Sequence, residues 1–471
     1  MRYLSTRGGD SGRSFEDVLL EGLARDGGLF VPESWPRFDS ARIADFAGRP
    51  FAEVAVSVID ALSGGGFERR DLGRMAREAY ATFGHPAVTP LVQLDEETFV
   101  LELFHGPTLA FKDVAMQLLA RLMDHALARA GRRATIVGAT SGDTGGAAIE
   151  AFRGSERVDV VILFPRGRVS DVQRRMMTTP VEDNVHAVAI DGTFDDCQAL
   201  VKGLFNDHAF RDRVQLSAIN SINWARIASQ VTYYFAAATA LGAPHRRMHF
   251  SVPTGNFGDV FAGYVARQMG LPMGQLVIAT NANDILARTV AGGAYEMRGV
   301  VATTSPSMDI QISSNFERYL FEASGRDAAK VRAMMASLAQ SGGFQLGPLH
   351  GRLTADFAAR AASEAAIADA IRTVHARSGY LMDPHTACGY LAADAGLREG
   401  HFEPRIVLAT AHPAKFPDAM EAVTGRRPPL PERLAELMTA TERFEVLDND
   451  LTTLAGFVAG RVRASAGGGA R

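Results

Sequence analysis

The sequence predicts an α/β fold with mainly parallel sheets, preceded by a small helical N-terminal domain. Three observations point there. From about Thr98 onward, short Val/Ile/Leu runs alternate with amphipathic helical stretches, the pattern of parallel strands joined by crossover helices. The segment before about Pro90 lacks that alternation and is turn-rich and helical. The chain has 471 residues, too many for one hydrophobic core, so two or three domains are expected.

Taken in order, Arg25-Asp26-Gly27-Gly28-Leu29-Phe30-Val31-Pro32 reads as a turn followed by an extended piece. A helical pattern runs from Val54 to Leu62 and is broken by Ser63-Gly64-Gly65-Gly66. The apolar runs then predict strands over Phe99 to Leu103, Ala134 to Val137, Val158 to Phe164, Val185 to Ile190, Val214 to Ile219, Met248 to Val252, Leu276 to Ala279 and Ile406 to Ala409. Helices are predicted over Val114 to Ala130, Gly145 to Phe152, Asp195 to Asn206, Trp224 to Ala240 and Val260 to Gln268. The stretch from Phe316 to Arg377 is alanine-rich and reads as helical, broken at Ser341-Gly342-Gly343. The tail from Ala466 to Arg471 reads as disordered.

Hydrophobic residues make up 47% and charged residues 22%, with a formal net charge of -4. That is an ordinary globular composition, without the basic surplus of a nucleic-acid binder. The two cysteines, Cys197 and Cys388, are far apart and form no CxxC pair. The N-terminus lacks an apolar signal core, and no apolar run reaches bilayer length. The reading is a soluble, reduced, cytoplasmic protein with no nucleic-acid or membrane partner. His245 and His249 have helical spacing but read as surface residues, so no metal site is expected.

Four loops at the ends of predicted strands carry chemistry. Leu103 to Asp113 places Lys112 after an apolar turn and before a helix. A lysine in an apolar pocket loses proton affinity and can form a Schiff base with an aldehyde. Gly138 to Gly146 sets glycines and small hydroxyls at a helix N-terminus, which favours an anion such as a carboxylate. It is not a Walker A loop, and Asp143 is its odd member because a carboxylate repels an anion. Val252 to Asp259 sets two glycines around Asn256-Phe257, a nest of N–H groups suited to a phosphate. Leu408 to Phe416 ends a strand on Thr410, whose hydroxyl can meet a heterocycle nitrogen, while His412 and Lys415 read as structural. Asn220 to Arg226 adds polar groups and a guanidinium suited to bidentate phosphate binding.

These pieces, in this order, closely resemble the threonine synthases, within the tryptophan-synthase-β-like group of pyridoxal phosphate enzymes. The resemblance is carried by Leu103 to Asp113 (LFHGPTLAFKD), Thr140 to Gly145 (TSGDTG), Gly255 to Asp259 (GNFGD) and Thr410 to Phe416 (TAHPAKF), with support from Arg25 to Pro32, Asn220 to Asn223 and Asp383-Pro384-His385-Thr386-Ala387. It covers nearly the whole chain, from Tyr3 to about Pro431, and matches the form with a long N-terminal segment.

The resemblance implies two mainly parallel open-sheet α/β domains with pyridoxal 5'-phosphate between them. It implies an N-terminal domain over 1–90, a catalytic region of two subdomains over 91–431, and a C-terminal segment over 432–471. The implied reaction turns O-phospho-L-homoserine and water into L-threonine and phosphate, in a monomer or homodimer. Lys112 would be catalytic and hold the cofactor covalently. Gly255, Asn256, Phe257, Gly258 and Asp259 would hold its phosphate, and Thr410 would face its ring nitrogen. Ser141, Gly142, Asp143 and Thr144 would lie by the substrate carboxylate and the cofactor's phenolic oxygen. Asn220, Ser221, Asn223 and Arg226 would be partners for the substrate phosphate. The rival readings are a phospholyase or dehydratase of the same group, and a non-catalytic metabolite-binding relative.

Overall fold

The computed structural model describes residues 1–217, 219–397 and 403–463. The last residues, including the tail read as disordered, lie outside the described ones. Two parallel sheets dominate. The larger has six strands in the order Phe357–Ala361, Met273–Thr280, Met248–Pro253, Arg405–Ala409, Thr98–Glu102 and Leu91–Gln93. All neighbours in it are parallel except the edge pair Leu91–Gln93 and Thr98–Glu102. The smaller has five parallel strands in the order Glu445–Asp448, Val185–Asp191, Val158–Pro165, Ala134–Ala139 and Leu216–Ser217. The chain builds one edge of the large sheet, leaves to build the small one, returns, and ends by adding a strand to the small one.

Sequence explains the placement. Every residue of Val158–Pro165 is buried, as expected for a near-continuous apolar strand covered by helices on both faces. The Lys112–Ala130 helix buries thirteen of its residues and stops at Gly131, whose φ of 64° is left-handed. The Trp224–Ala240 helix is predicted to the residue and is buried almost all round, so it lies inside the core.

The N-terminal segment is helical as expected, with Phe51–Ser63 and Arg69–Tyr80 packed on the core, but it also carries a three-stranded antiparallel sheet. It is pinned to the catalytic layers by buried hydrogen bonds. Trp224 Nε1 donates to Tyr3 Oη at 2.9 Å, and Thr6 Oγ1 donates to Glu317 at 2.6 Å.

Three expectations are corrected. The alanine-rich stretch is not helical throughout, because Phe357–Ala361 pairs in parallel with Met273–Thr280 as an edge strand. The strand expected from Val214 begins only at Leu216, because Val214 ends the His208–Val214 helix and is buried from it; among the described residues it covers Leu216–Ser217. His249 is not on the surface. It is 6% exposed, accepts Gln275 N at 2.7 Å, and lies 2.8 Å from Glu403.

Candidate active site

The carboxyl ends of four strands meet where the two sheets face each other, the place where open α/β sheets bind ligands. Thr98–Glu102 leads to Lys112, Ala134–Ala139 to Asp143, Met248–Pro253 to Gly255, and Arg405–Ala409 to Thr410. Two loops are stitched together there: Phe111 N donates to Thr410 O at 2.8 Å, and Ala110 bridges Ala411.

Lys112 opens its helix and is 9% exposed. Its ammonium lies 3.3 Å from Asp143 Oδ2 and 5.0 Å from the centre of the Phe111 ring. Burial lowers its proton affinity, with Lys415 and Arg226 adding to the effect and Asp143 opposing it. Asp113, the next residue, fastens the preceding turn by accepting from Thr108 N at 2.8 Å and Thr108 Oγ1 at 2.7 Å. Burial pushes its carboxyl up to about 6.

Asp143 is the hub of the site. Its Oδ1 takes Lys415 Nζ at 2.6 Å and Gln173 Nε2 at 2.9 Å, and its Oδ2 takes Ser307 Oγ at 3.0 Å besides Lys112. Burial alone would raise its pKa. The two lysines, Lys415 first, outweigh that and hold it well below the usual carboxylate range. The loop before it needs glycine at 142: φ is 140°, and a Cβ there would stand 2.4 Å from Gln173 Cδ. Thr140 Oγ1 accepts both Gly142 N and Gly145 N at 2.9 Å. Ser141 is exposed and Thr144 half-buried at the open end of this turn.

At the other end lies the Gly255 to Asp259 loop. Phe257 holds a left-handed φ of 64°, costly for a bulky residue, with its ring buried 5.2 Å from Phe316 and 5.4 Å from Phe357. Its backbone, not its ring, is therefore what it offers to a ligand. Asp259 turns its side chain away from the loop to Tyr233 and Tyr234, both of which donate to Oδ1. Burial pushes its carboxyl up to about 7, and its Oδ2 is buried without a hydrogen-bond partner among the described residues.

Arg226, 3% exposed, sits in the first turn of the Trp224–Ala240 helix. One nitrogen donates to Ile219 O at 3.3 Å, and Nε has no hydrogen-bond partner among the described residues. Burial lowers its pKa to about 10. Asn223 caps that helix through Ala225 N and donates to Leu19 O at 3.0 Å, tying it to the N-terminal segment. Asn220 is exposed and Ser221 half-buried. Asn315 joins the Asn220 to Arg226 and Gly255 to Asp259 loops by donating to Ser221 O at 3.0 Å and Asn256 O at 3.1 Å.

Thr410 is 6% exposed, and its hydroxyl makes no hydrogen bond among the described residues. His412 accepts Ala414 N at 3.1 Å as a turn cap. Sequence reasoning missed Gln173, Ser307 and Lys415, the partners of Asp143. It noted His385 only within a motif. His385 accepts Ser307 N at 3.2 Å and stands 2.6 Å from Asp383. A lysine following a strand end in TAHPAKF was the one available signal.

The comparisons with known proteins agree along the chain. Residues 2–80 match the model of the threonine synthase N terminus, 82–359 that of pyridoxal-phosphate dependent enzymes, and 386–458 that of the threonine synthase C-terminal region. A threonine synthase of Pseudomonas aeruginosa is 51% identical over 462 residues, 97% of this chain and 98% of that one. The crystal structure of pyridoxal phosphate-bound threonine synthase from Brucella melitensis superposes with a TM-score of 0.96 at 58% identity, covering 98% of this chain and 100% of that one. The yeast threonine synthase structure gives 0.92 at 38% identity, covering 98% of each chain.

Proposed function

This chain belongs to the threonine synthase family, and from that premise we propose how its residues share the work. The reaction is the conversion of O-phospho-L-homoserine and water into L-threonine and phosphate, the last step of threonine synthesis, and the cofactor is pyridoxal phosphate. In class terms it is a carbon-oxygen lyase acting on a phosphate ester. The domains divide at about residues 90 and 431, and the enzyme works in the cytoplasm as a monomer or homodimer.

The residues fit the cofactor. Lys112 is buried with a lowered proton affinity, which suits covalent attachment to an aldehyde. Gly255 leaves a cradle, since a Cβ there would crowd Ser307 O at 3.0 Å. The backbone N–H groups from Gly255 to Asp259 lead into the Gly258–Gln268 helix and would form the phosphate seat. When bound, the cofactor draws off the electrons released as substrate C–H bonds break.

As a free amine, Lys112 would move protons on one face of the substrate. Arg226, with a buried donor unspent, grips the substrate phosphate together with Asn220 and Ser221, while Asn223 holds that loop in shape. Ser141, Gly142, Asp143 and Thr144 orient the substrate carboxylate and the cofactor's phenolic oxygen. Thr410 would present a neutral hydroxyl to the ring nitrogen and so would not keep it protonated. That disfavours transamination relative to elimination, and Thr410→Asp should raise the share of transamination products.

The single observation that carries the reading is Lys112, buried at the strand end and within 3.3 Å of Asp143 from the other sheet. A product assay on O-phospho-L-homoserine tests it. Threonine plus phosphate is expected, whereas 2-oxobutyrate plus phosphate would assign a phospholyase instead.

A further inference from the structure

Only four lysines stand among the 49 Lys and Arg residues of this chain: Lys112, Lys202, Lys330 and Lys415. Lys202 and Lys330 are exposed. The other two are buried, Lys112 at 9% and Lys415 at 0%, and both reach one carboxylate. They do not share it equally. Lys415 Nζ is 2.6 Å from Asp143 Oδ1 and also donates to Thr108 O at 2.7 Å, in the turn before Lys112. Lys112 Nζ is 3.3 Å from Oδ2, which also accepts Ser307 Oγ.

We propose that Lys415 is a positioning residue that competes with Lys112 for Asp143, occupying the carboxylate so that Lys112 is free to lose its proton and act as a nucleophile. The argument is electrostatic. A lone buried carboxylate beside Lys112 would pair with it as a full ion pair and hold it as an inert ammonium. With Lys415 locked on Oδ1, the pair Asp143–Lys415 carries no net charge, and Lys112 is left with the longer contact. The other charged groups that face Lys112 are Arg226, which also favours the neutral amine, and Asp259, which opposes it. Neither touches Asp143, so neither can replace Lys415. Its hold on Thr108 O also links the ion pair to the turn that aims Lys112.

The inference rests on Lys112 as the attachment point, and its test separates the two claims. The holoenzyme is titrated by absorbance for the proton on the Lys112 nitrogen that is linked to the cofactor. In the full-length cofactor-free protein, Lys112 acetylation is followed against pH by mass spectrometry. In Lys415→Met, both transitions should move to higher pH by roughly one unit or more. Asp143→Asn should move them lower, and the double variant should return close to the wild type. Lys415→Arg, which keeps the charge, should stay near the wild type. Lys415→Gln serves in place of Met if that variant does not fold. Transitions that do not move, or that move down in Lys415→Met, would overturn the competition. A wild type whose cofactor is not on Lys112 would overturn the underlying reading instead, while the acetylation profile would still judge the competition.

Discussion

At the Lys112 end of the site, both oxygens of Asp143 are engaged by side chains of this chain, four in all. At the Arg226 end, a buried donor, Arg226 Nε, stands without a hydrogen-bond partner among the described residues. Buried polar groups are nearly always satisfied, so those left over call for an explanation. The contrast teaches what each end is for. On the proposed reading, the satisfied end is preset to tune Lys112 as a nucleophile. On the same reading, the unspent Arg226 donor is completed by the substrate phosphate.

The largest effect should come from breaking the preset end. Lys112→Ala is expected to lower threonine formation by about 1,000-fold or more, since it removes both the attachment point and the proton carrier. The visible cofactor band should vanish with it. Retention of both would move the chemistry elsewhere.

Next comes the open end. Arg226→Met should reduce kcat/KM for the phosphorylated substrate by about 10- to 100-fold, the loss expected for charge-assisted hydrogen bonds to a phosphate. Affinity for inorganic phosphate as a competitive inhibitor should fall in parallel. An unchanged phosphate inhibition constant would show that Arg226 does not face the substrate phosphate.

Asp259 sharpens the comparison through pH. Burial raises its folded-state pKa to about 7. The folded chain therefore holds this proton to higher pH than the unfolded chain does, and stability contributed by the neutral form is lost as pH rises from about 4 toward 7. Asp143 has the opposite sign: its pKa is depressed, so its contribution is lost as the medium turns acidic. In thermal melts of the cofactor-free protein over that window, Asp259→Asn should flatten the decline, although Asp113, raised to about 6, will leave part of it. Melting curves with the same pH slope as the wild type would remove Asp259 from this role.

The smallest change tests redundancy at the preset end. Gln173→Leu removes one of the four partners of Asp143. With Lys415, Lys112 and Ser307 remaining, activity should drop less than about tenfold, and stability by about 1 kcal/mol. A loss as large as that of Lys112→Ala would mean that Gln173 has a role of its own.

Much of this was legible in the sequence because strand ends and glycine loops leave local marks. Lys112, Gly255 and Thr410 each follow an apolar run, and those runs are strands here. The strand Phe357–Ala361 was hidden because FAARA carries no β-branched residue, and only pairing with Met273–Thr280 makes it extended. Asp143 looked out of place in an anion loop because its counter-ion lies far along the chain, on a different sheet. Lys415 reads as structural in the sequence for the same reason. Neither residue makes sense alone, and no local pattern joins them. His249 likewise owes its burial to Glu403 and Gln275, which are close only in the fold.

The two buried lysines give the central claim its most direct test. The holoenzyme is reduced with borohydride, which fixes the cofactor covalently to its lysine, and the digested peptides are mapped by mass spectrometry. The account predicts the pyridoxyl group on Lys112 alone. A pyridoxyl group on Lys415 would contradict it.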